Sequence, residues 1–277
     1  MKIFQAIVSG TKVTTRNLQL ILWLTIFQVV SGVLTMVLAP GVATVGPEQN
    51  PFALIPWWFW IWVLIVLFVG VFVQSGVLTY LKEATRSGTS NWNQFLEGAK
   101  KFFLRILLFG LLFLAAIVIA AVLVAIISGM FGLLFGGGSE TAGGTVAVIF
   151  SILLGIGIFV GSVFLVFSPM AIVVGDEKLF VGVVKSVQLV TKYFWRSLGL
   201  YALLVIFIFL ANLVVSIVVN GLFGILIRNL TVLSYVVTVI NAPFIAYFTT
   251  IFTASLISYY MSSSSPAQAP GARIPGA

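Results

Sequence analysis

Six long apolar runs, near residues 18–38, 54–81, 103–128, 145–174, 198–219 and 231–260, divide this chain. Each supplies the roughly 20 apolar residues that a helix needs to cross a bilayer core. In lipid a spanning segment must satisfy its own backbone hydrogen bonds, and an α-helix does so. The pattern predicts an all-α, polytopic membrane helix bundle of six transmembrane helices over residues 1–261. A disordered cytoplasmic tail, 262–277, rich in Ser, Pro, Ala and Gly with one charge, is expected to follow it. The first run exceeds the h-region of a signal peptide, about 7–15 residues, and reads as an anchor. The fifth apolar region continues to Ile227, which predicts tilt or a break at Asn220-Gly221. Pro169 and Pro243 are expected to kink the fourth and sixth spans.

Shorter stretches of helical patterning lie between the spans, at Ile3–Thr11, Trp92–Lys100 and Phe180–Val190. Helices of this kind suit the headgroup plane. A Lys-x3-Arg pair follows each: Lys12 with Arg16, Lys101 with Arg105, and Lys192 with Arg196. The three lysines stand 89 and 91 residues apart, and each pair opens an odd-numbered span. The six spans thus read as three repeated hairpins, each preceded by a cytoplasmic interfacial helix, at about 1–85, 86–178 and 179–261. Repeated hairpins keep one orientation, so an axis along the membrane normal relates them.

Thirteen of the fourteen Lys and Arg residues fall on one side of this pattern, and only Arg228 falls on the other. Short loops rich in Lys and Arg stay cytoplasmic. Both termini are therefore expected inside, in a multi-pass protein of a cell membrane, a prokaryotic inner membrane. A basic fringe facing anionic headgroups accounts for the net charge of +8 without nucleic acid. Lys12, Arg16, Lys101, Arg105, Lys192 and Arg196 are the candidate headgroup ligands. Membrane lipids, anionic ones first, are the expected partners, and a protein partner in the membrane stays open. The chain has no Cys and no His. Thiol chemistry is excluded, and the commonest general base and metal ligand are missing. No catalytic residue, metal site or cofactor is expected.

Asp, Glu, Lys and Arg all lie at or beyond the ends of the predicted spans, which argues against a proton relay. Gln28, Gln74, Asn212 and Asn241 are the polar residues of interest within the spans. They line a polar path or act as interhelical hydrogen-bond glue, worth about 0.6–2 kcal/mol each, and glue is the simpler reading. The small pairs Gly157/Gly161, Ala116/Ala120 and Ala121/Ala125 fit close helix packing. Trp57, Trp58, Trp60 and Trp62 read as an interfacial aromatic belt. The charge-poor outer loops Pro40–Pro51 and Gly129–Thr145 are expected to be flexible. Nothing in their spacing makes Glu83, Glu97, Asp176 and Glu177 converge. Asp176-Glu177 stands where negative charge favours the start of the third amphipathic helix.

One stretch is more distinctive than the rest. It runs Pro169-Met-Ala-Ile-Val-Val-Gly-Asp-Glu177, then Phe180-Val-Gly-Val-Val-Lys-Ser186, then Lys192-Tyr-Phe-Trp-Arg-Ser-Leu-Gly199. Together with Asn91-Trp-Asn-Gln-Phe-Leu-Glu-Gly98 it resembles a group of prokaryotic six-span membrane proteins of unknown function. Some relatives there are described as the membrane domain of glycerophosphodiester phosphodiesterases. The soluble catalytic domain of those fusions needs His and metal-binding carboxylates that this chain does not supply. The resemblance implies a membrane domain without that activity. The expectation is a non-enzymatic integral membrane protein, a scaffold or lipid-interacting module. The alternative is a permease or flippase-like transporter of a lipid or an apolar small molecule.

Overall fold

Apolar side chains set the length of the helices, and a few polar or special residues set their ends. A computed structural model of the chain describes residues 3–38, 56–135, 153, 155–227 and 230–264, and the regular structure in them is helical throughout. The helices are α1 (Ile3–Arg16), α2 (Leu18–Leu38), α3 (Trp57–Ser87), α4 (Trp92–Phe135), α5 (Gly155–Val174), α6 (Leu179–Lys192), α7 (Phe194–Leu226) and α8 (Leu230–Ser264). Six of them, α2, α3, α4, α5, α7 and α8, are long and apolar enough to cross a membrane. Pro40–Pro51, residues 136–145 and the tail from residue 265 lie outside the described residues.

The helix ends have local causes. Gly88 closes α3 in the left-handed region, at φ 87°, and its N–H bonds to the Ala84 carbonyl. Asn91 and Gln94 open α4 with a reciprocal cap. The Gln94 N–H donates to Asn91 Oδ1 at 3.0 Å, and the Asn91 N–H donates to Gln94 Oε1 at 3.1 Å. Asn17 separates α1 from α2. Its buried amide donates to the Val13 carbonyl at 2.8 Å and accepts the Tyr80 hydroxyl of α3 at 3.1 Å. Tyr193, at φ −126° and ψ 37°, separates α6 from α7.

Four expectations change. The second amphipathic stretch is not a separate helix, because α4 runs unbroken through Lys100, Lys101 and Arg105. Thr14-Thr15 and Thr191 precede the other two breaks, and Thr is a poor helix former. Ala99-Lys-Lys-Phe-Phe-Leu-Arg105 contains no such residue. The break expected at Asn220-Gly221 is absent as well. Asn220 Nδ2 donates to the Ser216 carbonyl at 2.9 Å within one continuous α7. Gly129–Phe135 belong to α4 rather than to a loop, and residues 262–264 belong to α8 rather than to the tail. Pro169 does interrupt its span: a turn at Phe167 divides α5, and Ser168–Val174 restarts with the proline in its first turn. α8 continues through Pro243.

Two compact units form. The first comprises Met1–Phe103 and Gly199–Ala277, and the second comprises Leu104–Leu198. In the first unit α1 packs against the C-terminal part of α8. A Cβ on Gly10 would lie 2.6 Å from the Ser255 backbone nitrogen, and Ser9 and Ser258 share a 3.3 Å hydrogen bond beside it. In the same unit the start of α4 packs on the end of α3, where a Cβ on Gly98 would lie 2.1 Å from Thr79 Oγ1. Phe95 seats over Gly76 and stacks on Trp92, with ring centroids 4.4 Å apart. In the second unit α6 packs on the end of α5 through Gly182 and Ile172. Here the Ser186 hydroxyl donates to the Phe164 carbonyl at 2.6 Å, just before the interruption in α5. Backbone groups freed near a proline need such partners in lipid.

Burial concentrates at these contacts. In α3 every buried residue lies within Ser75–Ala84. The opposite ends of the spans expose Val, Leu, Ile and Phe, as lipid-facing helices do.

Gly10 tests the α1–α8 contact. Gly10→Ala must displace backbone and is expected to destabilise the protein by about 1–3 kcal/mol. Gly110, with nothing within 4 Å, is the control. Gly110→Ala is expected to leave stability unchanged or raise it by up to about 1 kcal/mol. Thermal unfolding of both variants in mild detergent checks this.

Candidate functional site

The three candidate lysines share one local setting. Ala6, Phe95 and Ser186 each stand six residues before their lysine, and all three are buried. Gly10, Ala99 and Val190 stand two residues before it and are buried too. Lys12, Lys101 and Lys192 themselves are exposed. Each short helical segment thus turns a small or apolar face inward and leaves its lysine outward. The same pairing occurs three times: such a segment packs on the end of the return span that precedes it, α8 standing before α1.

The outward faces of α1 and α6 are not purely polar. Phe4 and Val8 on α1, and Phe180 and Val184 on α6, are exposed one turn apart. A surface helix that shows aromatic and aliphatic residues beside basic ones fits the boundary between headgroups and acyl chains. Trp195, 80% exposed, follows Lys192 on the first turn of α7. It suits the same depth, because its ring is amphipathic.

The arginines of the three pairs diverge. Arg16 and Arg196 are exposed. Arg105 is half-buried and donates to Asp176 Oδ1 at 2.9 Å and to the Glu177 carbonyl at 3.2 Å. Glu177 in turn pairs with Lys185 of α6. Asp176 sits at φ 52°, a left-handed conformation that Asp tolerates better than most residues. Asp176 and Glu177 therefore tie the start of α6 to α4 in the second unit. The sequence signal for this tie was the pair of acids before a basic helix. Their partner, 71 residues earlier, was out of reach of spacing arguments.

Of the four intramembrane amides, Asn212 donates to the Ile208 carbonyl of its own helix at 2.9 Å, and Gln74 is exposed. Gln28 and Asn241 come together on the wall of one cleft in the first unit, between α2, α3 and α8, with a volume of about 570 Å3. Gln28 Oε1 and Asn241 Oδ1 are buried and accept no hydrogen bond. The cleft lies beside the crossing of α2 and α8, where Thr238 Cγ2 would lie 2.8 Å from a Cβ on Gly32. Trp62 is only partly a belt residue: its Nε1 donates to Thr35 Oγ1 of α2 at 3.1 Å. Trp57, Trp58 and Trp60 are exposed or nearly so. Among the described residues no group of acidic residues could hold a metal ion.

Six helices long and apolar enough to cross a membrane define a multi-pass α-helical membrane protein. Within that class the chain belongs to the family described as Domain of unknown function (DUF7847), whose family model matches residues 1–261. No curated protein and no solved structure matches it.

The Arg105–Asp176 tie is open to a double-mutant cycle. Both side chains are more than a third exposed, at 35% and 47%, so solvent screens the pair. Comparing Arg105→Gln, Asp176→Asn and the double variant by thermal unfolding is expected to give a coupling of about 0.2–1 kcal/mol.

Proposed function

We infer that this protein is a non-enzymatic, lipid-interacting membrane module whose short basic helices hold anionic headgroups. The observation that carries this reading is the outward face of α1 and α6. Exposed Phe4, Val8, Phe180 and Val184 there share a helix with exposed Lys12, Arg16 and Lys192. Lys101, in the third turn of α4, and Arg196, in the first turn of α7, extend the same chemistry. Arg105 serves first as the partner of Asp176. The buried register before each lysine supports three copies of one unit. The likeness of Pro169–Gly199 to prokaryotic six-span proteins, some of them described as the membrane domain of glycerophosphodiester phosphodiesterases, supports a role at a lipid surface.

A second reading, a permease for a lipid or an apolar small molecule, is favoured by one observation. The cleft between α2, α3 and α8 is lined mostly by apolar side chains, with Gln28 and Asn241 on its wall.

Headgroup binding is tested by exchanging the five exposed candidate cations for Gln: Lys12, Arg16, Lys101, Lys192 and Arg196. Each charge near an anionic surface is worth about 1 kcal/mol. Native mass spectrometry after release from mixed phosphatidylglycerol and phosphatidylethanolamine nanodiscs is expected to show phosphatidylglycerol enriched on the natural chain. The five-fold variant is expected to lose that enrichment, and an unchanged lipid ratio would overturn the reading.

Orientation is tested separately. With an even number of spans and its basic residues inside, both termini face the cytoplasm. A reporter that fluoresces only in the cytoplasm is expected to light up when fused to either end.

A further inference from the structure

The cleft between α2, α3 and α8 has a chemistry that the headgroup reading does not use. None of its lining residues is charged. A charged ligand there would stay uncompensated in a low-dielectric setting, which is costly. Its hydroxyls are already engaged as donors. Ser31 donates to the Gln28 carbonyl at 3.2 Å, Thr35 to the Ser31 carbonyl at 2.7 Å and Thr238 to the Ser234 carbonyl at 2.9 Å.

The two carboxamides differ. Their oxygens, Gln28 Oε1 and Asn241 Oδ1, are shut away from the cleft. Their nitrogens remain accessible and donate to no described residue, so the NH2 ends are what the cleft presents. An amide NH2 carries two N–H donors and no acceptor. The unused donors on this wall therefore call for a ligand that brings acceptors.

Depth narrows the choice. Gln28 is the eleventh of the 21 residues of α2, about 15 Å from either end of the helix. That is the middle of a bilayer core about 30 Å thick. Phospholipid headgroups and ester carbonyls stand at the edges of the core. An acceptor that reaches these donors belongs to a molecule dissolved in the core itself. A quinone meets each condition: carbonyl oxygens, no charge, no donor of its own and an apolar ring. The cleft volume, about 570 Å3, falls within the range of small-molecule sites. Val66 and Ile245 supply apolar wall for the ring.

We propose that this cleft binds an uncharged quinone from the membrane interior, with the NH2 groups of Gln28 and Asn241 donating to its carbonyl oxygens. Such binding uses the cleft that favours the permease reading but needs no transport, so bound quinone without flux would end that reading alone. The basic helices take no part in it, and the headgroup reading stands or falls separately.

The test uses the full chain in nanodiscs and a photoactivatable azidoquinone. Duroquinone and durene, the same methylated ring with and without its oxygens, compete for the label. Duroquinone is expected to suppress labelling of α2 or α8 peptides at about a tenfold lower membrane concentration than durene, the discrimination that two intramembrane hydrogen bonds allow. Gln28→Leu/Asn241→Leu is expected to cut labelling about tenfold while keeping its thermal unfolding midpoint. Where that variant does not fold, the competition on the natural chain decides alone. Equal competition by durene would overturn the proposal. So would undiminished labelling of the variant, or tighter competition by durohydroquinone, whose hydroxyls donate.

Discussion

The close approach of α1 to α8 at Gly10 and Ser255 is the contact on which the first unit depends. Lipid tails are as apolar as Leu, so transmembrane helices gain little by hiding Leu from them. Association must come from van der Waals contact and from hydrogen bonds between helices. Gly10 lets two backbones meet, and the Ser9–Ser258 hydrogen bond runs beside that contact. The first and last described helices of the chain are thereby joined. The same solution recurs at Gly98 with Thr79 and at Gly182 with Ile172. Each time a short helical segment seats on the end of a span, and each time a glycine makes room for it.

This explains why burial is uneven along the spans. The ends that meet the short helices hold the buried residues, while the far ends show large apolar side chains outward. The polar groups at the packed ends have work to do because the backbone is interrupted there. Asn17 bridges the Val13 carbonyl and the Tyr80 hydroxyl where α1 gives way to α2. Ser186 reaches the Phe164 carbonyl beside the turn in α5. The distinctive stretch from Pro169 to Ser186 is therefore a packing device at its core. Pro169 restarts the span, Asp176 turns the chain and takes Arg105, Gly182 admits the helix and Ser186 supplies a donor.

Spans and short amphipathic helices were legible because they follow from composition and period alone. Six apolar runs became six long helices, and α1 and α6 fall where the amphipathic stretches were expected. The junctions were less legible. Whether Lys100-Lys101 ends a helix depends on neighbours that compete with the backbone, and Ala99 and Phe102 do not compete as Thr14 and Thr191 do. Asn220-Gly221 has the composition of a break, yet a side-chain bond one turn back keeps the helix intact. Distant pairings could not be read at all. Arg105 belonged with the headgroup ligands on spacing, but it meets Asp176 only through the packing of α6.

The four intramembrane amides show where pattern ends and site begins. On sequence they form one class, polar residues in apolar spans. In the folded chain they separate by what surrounds each carboxamide. Asn212 turns back on its own helix, and Gln74 faces outward. Gln28 and Asn241, more than 200 positions apart in the chain, share one wall with their oxygens unpaired. Counted from Lys12, Lys101 and Lys192, the position of Gln28 corresponds to Ile117 and Ile208, so the pattern around the lysines does not call for an amide there. Local rules are broken where something other than stability is being served. The headgroup reading rests on the local setting that the three lysines share, and the cleft rests on two amides that this setting does not link.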